Sequence, residues 1–137
     1  MGNIIDLFSG CGGMSLGFQW AGFNPAIAIE KDEWAAETYA YNFPTTSVYV
    51  EDITKMTDLS KLDENIEIEG ILSGSPCQSF SLSGKRDKND PRGSLFMDFV
   101  MFVKYFQPKF CLMENVNGIL SMKTMSGANV KDIIVEE

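Results

Sequence analysis

The chain has no histidine. That removes the Ser-His-Asp triad, the Cys-His dyad and every His-ligated zinc site from the chemistry its 137 residues can perform by themselves. Cysteine is nearly as scarce, with three residues at positions 11, 77 and 111 and no CxxC pair. So scattered a set is neither a zinc cluster nor a disulfide framework; no metal is expected, and the pattern suits a reducing compartment. No signal peptide opens the sequence and no apolar run is long enough to cross a bilayer, so a cytoplasmic protein is expected. Positive charge is also short. Eleven basic residues face 19 acidic ones, for a net charge of -8, which argues against a broad nucleic-acid-binding face. The local exception is the stretch Lys85–Arg92, where Lys85, Arg86, Lys88 and Arg92 outnumber Asp87 and Asp90. By charge alone, most such runs are solvated loops.

What is present is an ordinary globular composition, 45% hydrophobic and 22% charged, in a length that suits one domain with its own core. Short apolar runs alternate with helical patterns. Asn3–Phe8 reads as a buried strand, and Met14 to Ala21 as a helix ending at Gly22. Ala26–Ile29 is a second strand, Glu33–Phe43 a second helix closed by Pro44, and Ser47–Val50 a third strand. Lys55–Leu59 suggests a helical turn and Gly70–Leu72 a fourth strand. Ser94–Phe106 is a strongly apolar helix with Ser94 as N-cap, Phe110–Met113 a fifth strand, and Val130–Val135 a further apolar pattern. Strand-helix alternation of this kind specifies an α/β fold with a doubly wound, mostly parallel sheet.

The residues that interrupt the apolar pattern share one location. Ser9 to Gly13, Glu30, Asp52, Ser75 to Gln78, and Glu114 with Asn115 each fall just past the carboxyl end of an expected strand. In open parallel sheets that edge is where ligands bind. One acidic residue after a strand is unremarkable, but five strand ends in a row suggest one continuous cleft. The SGCGG segment lets backbone approach a ligand and aims helix N–H groups at it, although it is neither GxGxxG nor a Walker loop. Glu30 stands 24 residues after Asp6 and can accept from ribose hydroxyls; Asp52 can take an adenine amino group. Together they suggest a nucleoside-bearing cofactor, either NAD or S-adenosylmethionine.

The segment GSPCQSFSLSG carries the reactive candidate. Cys77 follows Pro76 directly after a buried strand and lies beside the basic stretch, where a positive field favours the thiolate nucleophile. Cys111, inside FCLM, reads instead as a small buried hydrophobe, and Cys11 as a small packing residue of the glycine loop. Glu114 ends a buried strand at the same edge, where a carboxyl group could share a proton with a heterocycle nitrogen and Asn115 could hold it in place.

In this order, DLFSGCGGMSLGF, IEKDEWAAETYAYNF, EDIT, GSPCQSFSLSGKR, DPRGSLF and PKFCLMENV resemble the motifs of DNA (cytosine-5) methyltransferases over nearly all of residues 3 to 121. The resemblance implies a Rossmann-like methyltransferase fold using S-adenosylmethionine. By position, it implies a cofactor site made of Phe8, Ser9, Gly10, Cys11, Gly12, Gly13, Glu30, Lys31, Asp52, Ile53 and Pro76. Lys31 departs from the aromatic residue often found there. The catalytic residues it implies are Cys77 as nucleophile, Glu114 as the acid engaging a flipped base, and Arg92 of the catalytic loop. Substrate contacts would come from Ser75, Gln78, Ser81, Lys85, Arg86 and Asn115.

The family continues with an arginine-rich strand, a target-recognition region and a final helix, and none of these is recognisable in residues 1–137. The expectation is therefore the N-terminal part of the catalytic domain, a truncated chain or one part of a split enzyme. Its partners would be double-stranded DNA with a flipped cytosine and a complementing polypeptide carrying the remaining motifs. Three alternatives stand beside it: an inactive remnant or binding module of the same fold, tRNA cytosine-5 methylation, and a nicotinamide-dependent oxidoreductase on a similar sheet. A zinc deaminase is excluded, because Pro76-Cys77 is followed by Gln78-Ser79-Phe80 rather than a second cysteine.

Overall fold

The structure is a computed structural model that describes residues 1–62, 66–75 and 95–114. These residues hold five strands and three α-helices, in the order β1 (Asn3–Leu7), α1 (Gly13–Trp20), β2 (Asn24–Glu30), α2 (Glu33–Asn42), β3 (Ser47–Val50), β4 (Ile68–Ser73), α3 (Leu95–Phe106) and β5 (Phe110–Met113). All four pairings are parallel, in the order β3-β2-β1-β4-β5. The order reverses between β1 and β4, which makes the sheet doubly wound, as the sequence pattern specifies.

Alternation along the strands decides which helix covers which face. Ile5 and Leu7 of β1, Ile27 and Ile29 of β2, and Ile71 of β4 belong to one core with Phe99, Val100 and Phe102 of α3. The opposite face carries Ala28 of β2 against Tyr39 and Phe43 of α2. Ile4, Ile5, Leu7, Ile27, Ala28 and Leu72 are all essentially inaccessible, so the central strands are buried on both faces, as parallel strands require.

Helix ends follow local chemistry. α2 starts where the Asp32 carboxylate accepts from Ala35 N–H at 2.9 Å. α1 is closed off by Gly22, two residues past Trp20, whose φ of 94° allows Gly22 N–H to reach Gln19 O and Phe23 N–H to reach Phe18 O. The expected turn at Lys55–Leu59 is in fact two 3-10 turns, Ile53–Lys55 and Leu59–Lys61. Each is opened by an aspartate that accepts from the Ser or Thr two residues on, Asp52 to Thr54 and Asp58 to Ser60. Ser94, expected as the cap of α3, and the apolar pattern at Val130–Val135 lie outside the described residues.

Two cysteine assignments need correction. Cys111 and Cys11 are both exposed. Among the described residues β5 ends the sheet order and pairs with β4 alone, and Leu112 beside Cys111 is 43% exposed. Cys11 sits at the tip of the glycine turn, where nothing covers its side chain sufficiently to bury it.

Candidate functional site

Parallel pairing brings five strand ends into one row, and ladder hydrogen bonds continue past the strands. Ser9 N–H donates to Ile29 O, Glu51 N–H to Glu30 O, Gly74 N–H to Leu7 O and Glu114 N–H to Ser73 O, at 2.9–3.2 Å. Asp52, Glu30, Ser9, Ser75 and Glu114 therefore lie in sheet order along the carboxyl edge. At the usual inter-strand spacing, four steps from the end of β3 to the end of β5 span about 19 Å.

The glycine loop is built around three left-handed residues, Phe8 (φ 57°), Gly10 (φ 53°) and Gly12 (φ 94°). For glycine this costs little; for Phe8 it is strained by about 1–2 kcal/mol, a cost concentrated at functional sites. Gly12 N–H donates to Ser9 O, and Gly12 O receives Leu16 N–H as α1 begins. No side chain larger than glycine fits at position 12, since a Cβ there would collide with the Phe43 ring and lie 3.0 Å from Tyr39.

Glu30 closes the loop from outside. Its Oε2 accepts from Gly10 N–H at 2.8 Å and its Oε1 from Asp32 N–H at 2.9 Å. Each carboxylate oxygen has a second lone pair, so the side chain can hold the loop and still accept from a ligand hydroxyl. Asp52 uses Oδ1 for Thr54 N–H and Thr54 Oγ1 (3.1 and 2.8 Å). Those bonds, with Lys31 and Lys55 nearby, hold its carboxyl below the ordinary carboxylate range, while Oδ2 remains for a ligand amino group.

Between these elements opens a cleft of about 270 Å³, lined by Phe8, Ile29, Glu30, Lys31, Glu51, Asp52, Ile53, Gly74 and Leu95. Of these, Phe8, Glu30, Lys31, Asp52 and Ile53 are expected from the sequence; Ile29, Glu51, Gly74 and Leu95 are not. Leu95 is one turn from Asp98 on α3, whose carboxyl is raised by burial and by the charge of Asp52. A larger hollow of about 570 Å³, between Thr57–Leu59 and Met97, Met101, Lys104 and Tyr105, lies off the strand ends and gathers no comparable polar chemistry. The Oγ atoms of Ser9 and Ser73, at the ends of the two central strands, are buried and meet no hydrogen-bond partner. Such hydroxyls are uncommon, and they fit an edge that a polar ligand completes.

The remaining expected residues divide in two. Ser75 is buried at the end of β4, and Glu114 is exposed one residue past β5. Pro76, Cys77, Gln78, Ser81, Lys85, Arg86, Arg92 and Asn115 lie outside the described residues. Sequence reasoning missed the polar centre beneath the loop. Asp6 is 1% exposed on β1 and receives Ser15 Oγ–H at 2.6 Å, and Ser15 Oγ lies 2.6 Å from Tyr39 Oη. Burial raises the Asp6 carboxyl to about 6, against opposing hydrogen bonds from Ser15 and with help from the Glu30 charge. The available signal was a single carboxylate inside the apolar run NIIDLF.

A reversed-order parallel sheet with a glycine turn after β1 and carboxylates after β2 and β3 is a Rossmann-like architecture, and its solved neighbours are methyltransferases. The chain belongs to the C-5 cytosine-specific DNA methylase family, whose description matches residues 2–137. It is 61% identical over 136 residues to the Type II methyltransferase M.DdeI of Desulfomicrobium norvegicum, covering 98% of this chain and 32% of that protein. It is 44% identical over 123 residues to M.AquIA of a Picosynechococcus strain, covering 86% of this chain and 50% of the relative. Among solved structures, Spodoptera frugiperda DNMT2 superposes with a TM-score of 0.69 at 27% identity, covering 99% of this chain and 40% of that one. The chain thus spans a third to a half of the length of these relatives. No helix among the described residues is long and apolar enough to cross a membrane.

Proposed function

We propose that the chain supplies the cofactor-binding and nucleophile-bearing part of an enzyme that methylates carbon 5 of cytosine in DNA. The observation that carries this reading is the row of strand ends, with the loop-holding carboxylate of Glu30 and the half-free carboxylate of Asp52 on one cleft. S-adenosylmethionine, when bound, supplies an electrophilic methyl group. Glu30 would take the ribose hydroxyls, Asp52 the adenine amino group, and Phe8 and Ile53 the faces of the base.

The resemblance assigns the reacting groups. The Cys77 thiolate adds to carbon 6 of a cytosine turned out of the duplex, while the Glu114 carboxyl protonates or hydrogen-bonds ring nitrogen 3. Carbon 5 then carries the electron density that would take the methyl group, the sulfur–methyl bond breaking to leave S-adenosylhomocysteine. Loss of the carbon 5 proton to a solvent water then expels the Cys77 thiolate and restores the ring. Arg92, with Lys85 and Arg86, would meet the DNA, and Ser75, Gln78, Ser81 and Asn115 would frame the base. A net charge of -8 makes a poor DNA grip. Turnover is therefore assigned to this chain together with polypeptide, in the same or a separate chain, carrying the arginine and target-recognition segments. Such an enzyme would work in the cytoplasm.

The test is covalent trapping. With the complementing polypeptide present, DNA bearing 5-fluorocytosine at the target forms an adduct that survives denaturation. Cys77→Ser abolishes it and Cys111→Ser does not; an adduct on Cys77→Ser protein overturns the assignment. Tritiated methyl transfer to DNA against tRNA separates the two nucleic-acid substrates.

A further inference from the structure

We propose that Asp6, Ser15 and Tyr39 act as one positioning unit that holds the glycine loop and the first turn of α1 in the form that accepts the cofactor. The proposal rests on the cofactor reading above and adds residues that do not line the cleft.

The three side chains come from three elements, β1, α1 and α2, and meet beneath the loop. Ser15 is the third residue of α1, so its bond to Asp6 fixes the helix turn whose free N–H groups face the edge. Tyr39 and Phe43 form the floor on which Gly12 rests, with no room for another atom. The loop is therefore gripped twice: from outside by Glu30 through Gly10 N–H, and from beneath by Asp6 through Ser15.

The unit also has a direction. A serine hydroxyl has one proton, and here it goes to the Asp6 carboxylate; Tyr39 must then donate to Ser15. A neutral Asp6 can donate instead, which lets the chain of bonds run the other way. Burial puts that change at about pH 6, with the phenol of Tyr39 pushed above its usual range and so protonated throughout. The titratable groups acting on Asp6 are Tyr39 on α2 and Glu30 at the end of β2. Histidine, the usual source of a transition near neutrality, is absent from the sequence. A ligand carrying ammonium and sulfonium charges above the loop favours the ionised carboxylate, so its affinity rises as pH passes upward through this range.

The experiment is calorimetric titration of S-adenosylmethionine into the chain with its completing polypeptide. It compares wild type, Tyr39→Phe, Ser15→Ala, Asp6→Asn and Glu30→Ala between about pH 5 and about pH 7.5. Wild-type affinity should fall about three- to tenfold toward the acid end, and the Asp6→Asn profile should fall distinctly less. Tyr39→Phe, which deletes one oxygen, should weaken binding by about two- to tenfold at neutral pH. Amide exchange at residues 9–16 should quicken in Tyr39→Phe without ligand. A wild-type profile identical to that of Asp6→Asn overturns the proposal, and so does unchanged affinity and exchange in Tyr39→Phe. If Ser15→Ala does not fold, those two comparisons still decide. Unchanged affinity in Glu30→Ala removes the cofactor reading itself, a different failure from one confined to the unit beneath.

Discussion

At the ends of β2 and β3 the polar side chains are tied to backbone: Glu30 to Gly10 and Asp32, Asp52 to Thr54. At the end of β5 Glu114 is anchored through its own N–H, and on the strand itself Cys111 and Leu112 are exposed. The first region is shaped before any ligand arrives, because each carboxylate spends part of its capacity on the loop it borders. The second presents side chains from a strand that, among the described residues, has one neighbour. Under the proposed function, the preorganised strand ends are the ones assigned to the cofactor, whose shape does not change from one turnover to the next.

Substitutions can break or sharpen this contrast. The largest effect is expected at Gly12. A methyl group there meets the Phe43 and Tyr39 rings and carries a left-handed φ, so Gly12→Ala should cost about 3–4 kcal/mol in urea denaturation. Gly10→Ala, also left-handed but with nothing within 4 Å of the added carbon, should cost about 1 kcal/mol. Equal losses would mean that the loop is not seated on those rings.

Asp6→Asn follows. Its carboxyl is raised from 3.8 to about 6, so the folded state holds the proton more tightly than the unfolded chain. The stabilisation from that proton is complete below 3.8 and is lost as pH rises through about 6. Asn cannot ionise, so the variant should gain up to about 3 kcal/mol over wild type at pH 8 and almost nothing at pH 4. Thermal melts at the two values measure this directly.

Glu30→Ala should lower S-adenosylmethionine affinity about ten- to a hundredfold, from charge-assisted bonds of about 1.5–3 kcal/mol; Asp52→Ala should act in the same direction. Calorimetry reads both, and no change in either would place the cofactor elsewhere. The smallest effect belongs to the open half: Cys111→Ser should shift stability by under about 0.5 kcal/mol, and native Cys111 should react readily with a thiol reagent. A large loss, or a protected thiol, would mean β5 is covered in the working protein.

The legible parts of the fold were those where two signals agreed. Ser47–Val50 and Phe110–Met113 are strands within their expected bounds because polar or turn residues flank short apolar runs on both sides. Glu30 and Asp52 could be placed because each ends such a run with a charge. Asp6 could not, since it interrupts β1 instead of ending it; its partner Ser15 lies 9 positions away on α1, and Tyr39, which meets Ser15, a further 24 on α2. The burial of Cys111 was misjudged for a related reason: FCLM has the composition of a central strand, and composition does not record how many neighbours a strand has. The paired turns after β3 did carry a local signature, Asp-Ile-Thr and Asp-Leu-Ser, in which aspartate bonds the hydroxyl residue two places on.

The place of β1 at the centre of the sheet has a consequence for how the chain is made. Its partner on one side, β2, follows within about 20 residues, but Asn3 meets Ile68 of β4 only after some 65 residues have been synthesised. Until then a strand that is buried in the finished sheet has an open flank on which any extended segment, its own or a neighbour's, can pair. Closing so long a loop is slow compared with forming β1, α1 and β2. The ribosome-bound chain therefore passes through a stage in which its future core is its most adhesive surface, and docking of β4 ends that exposure.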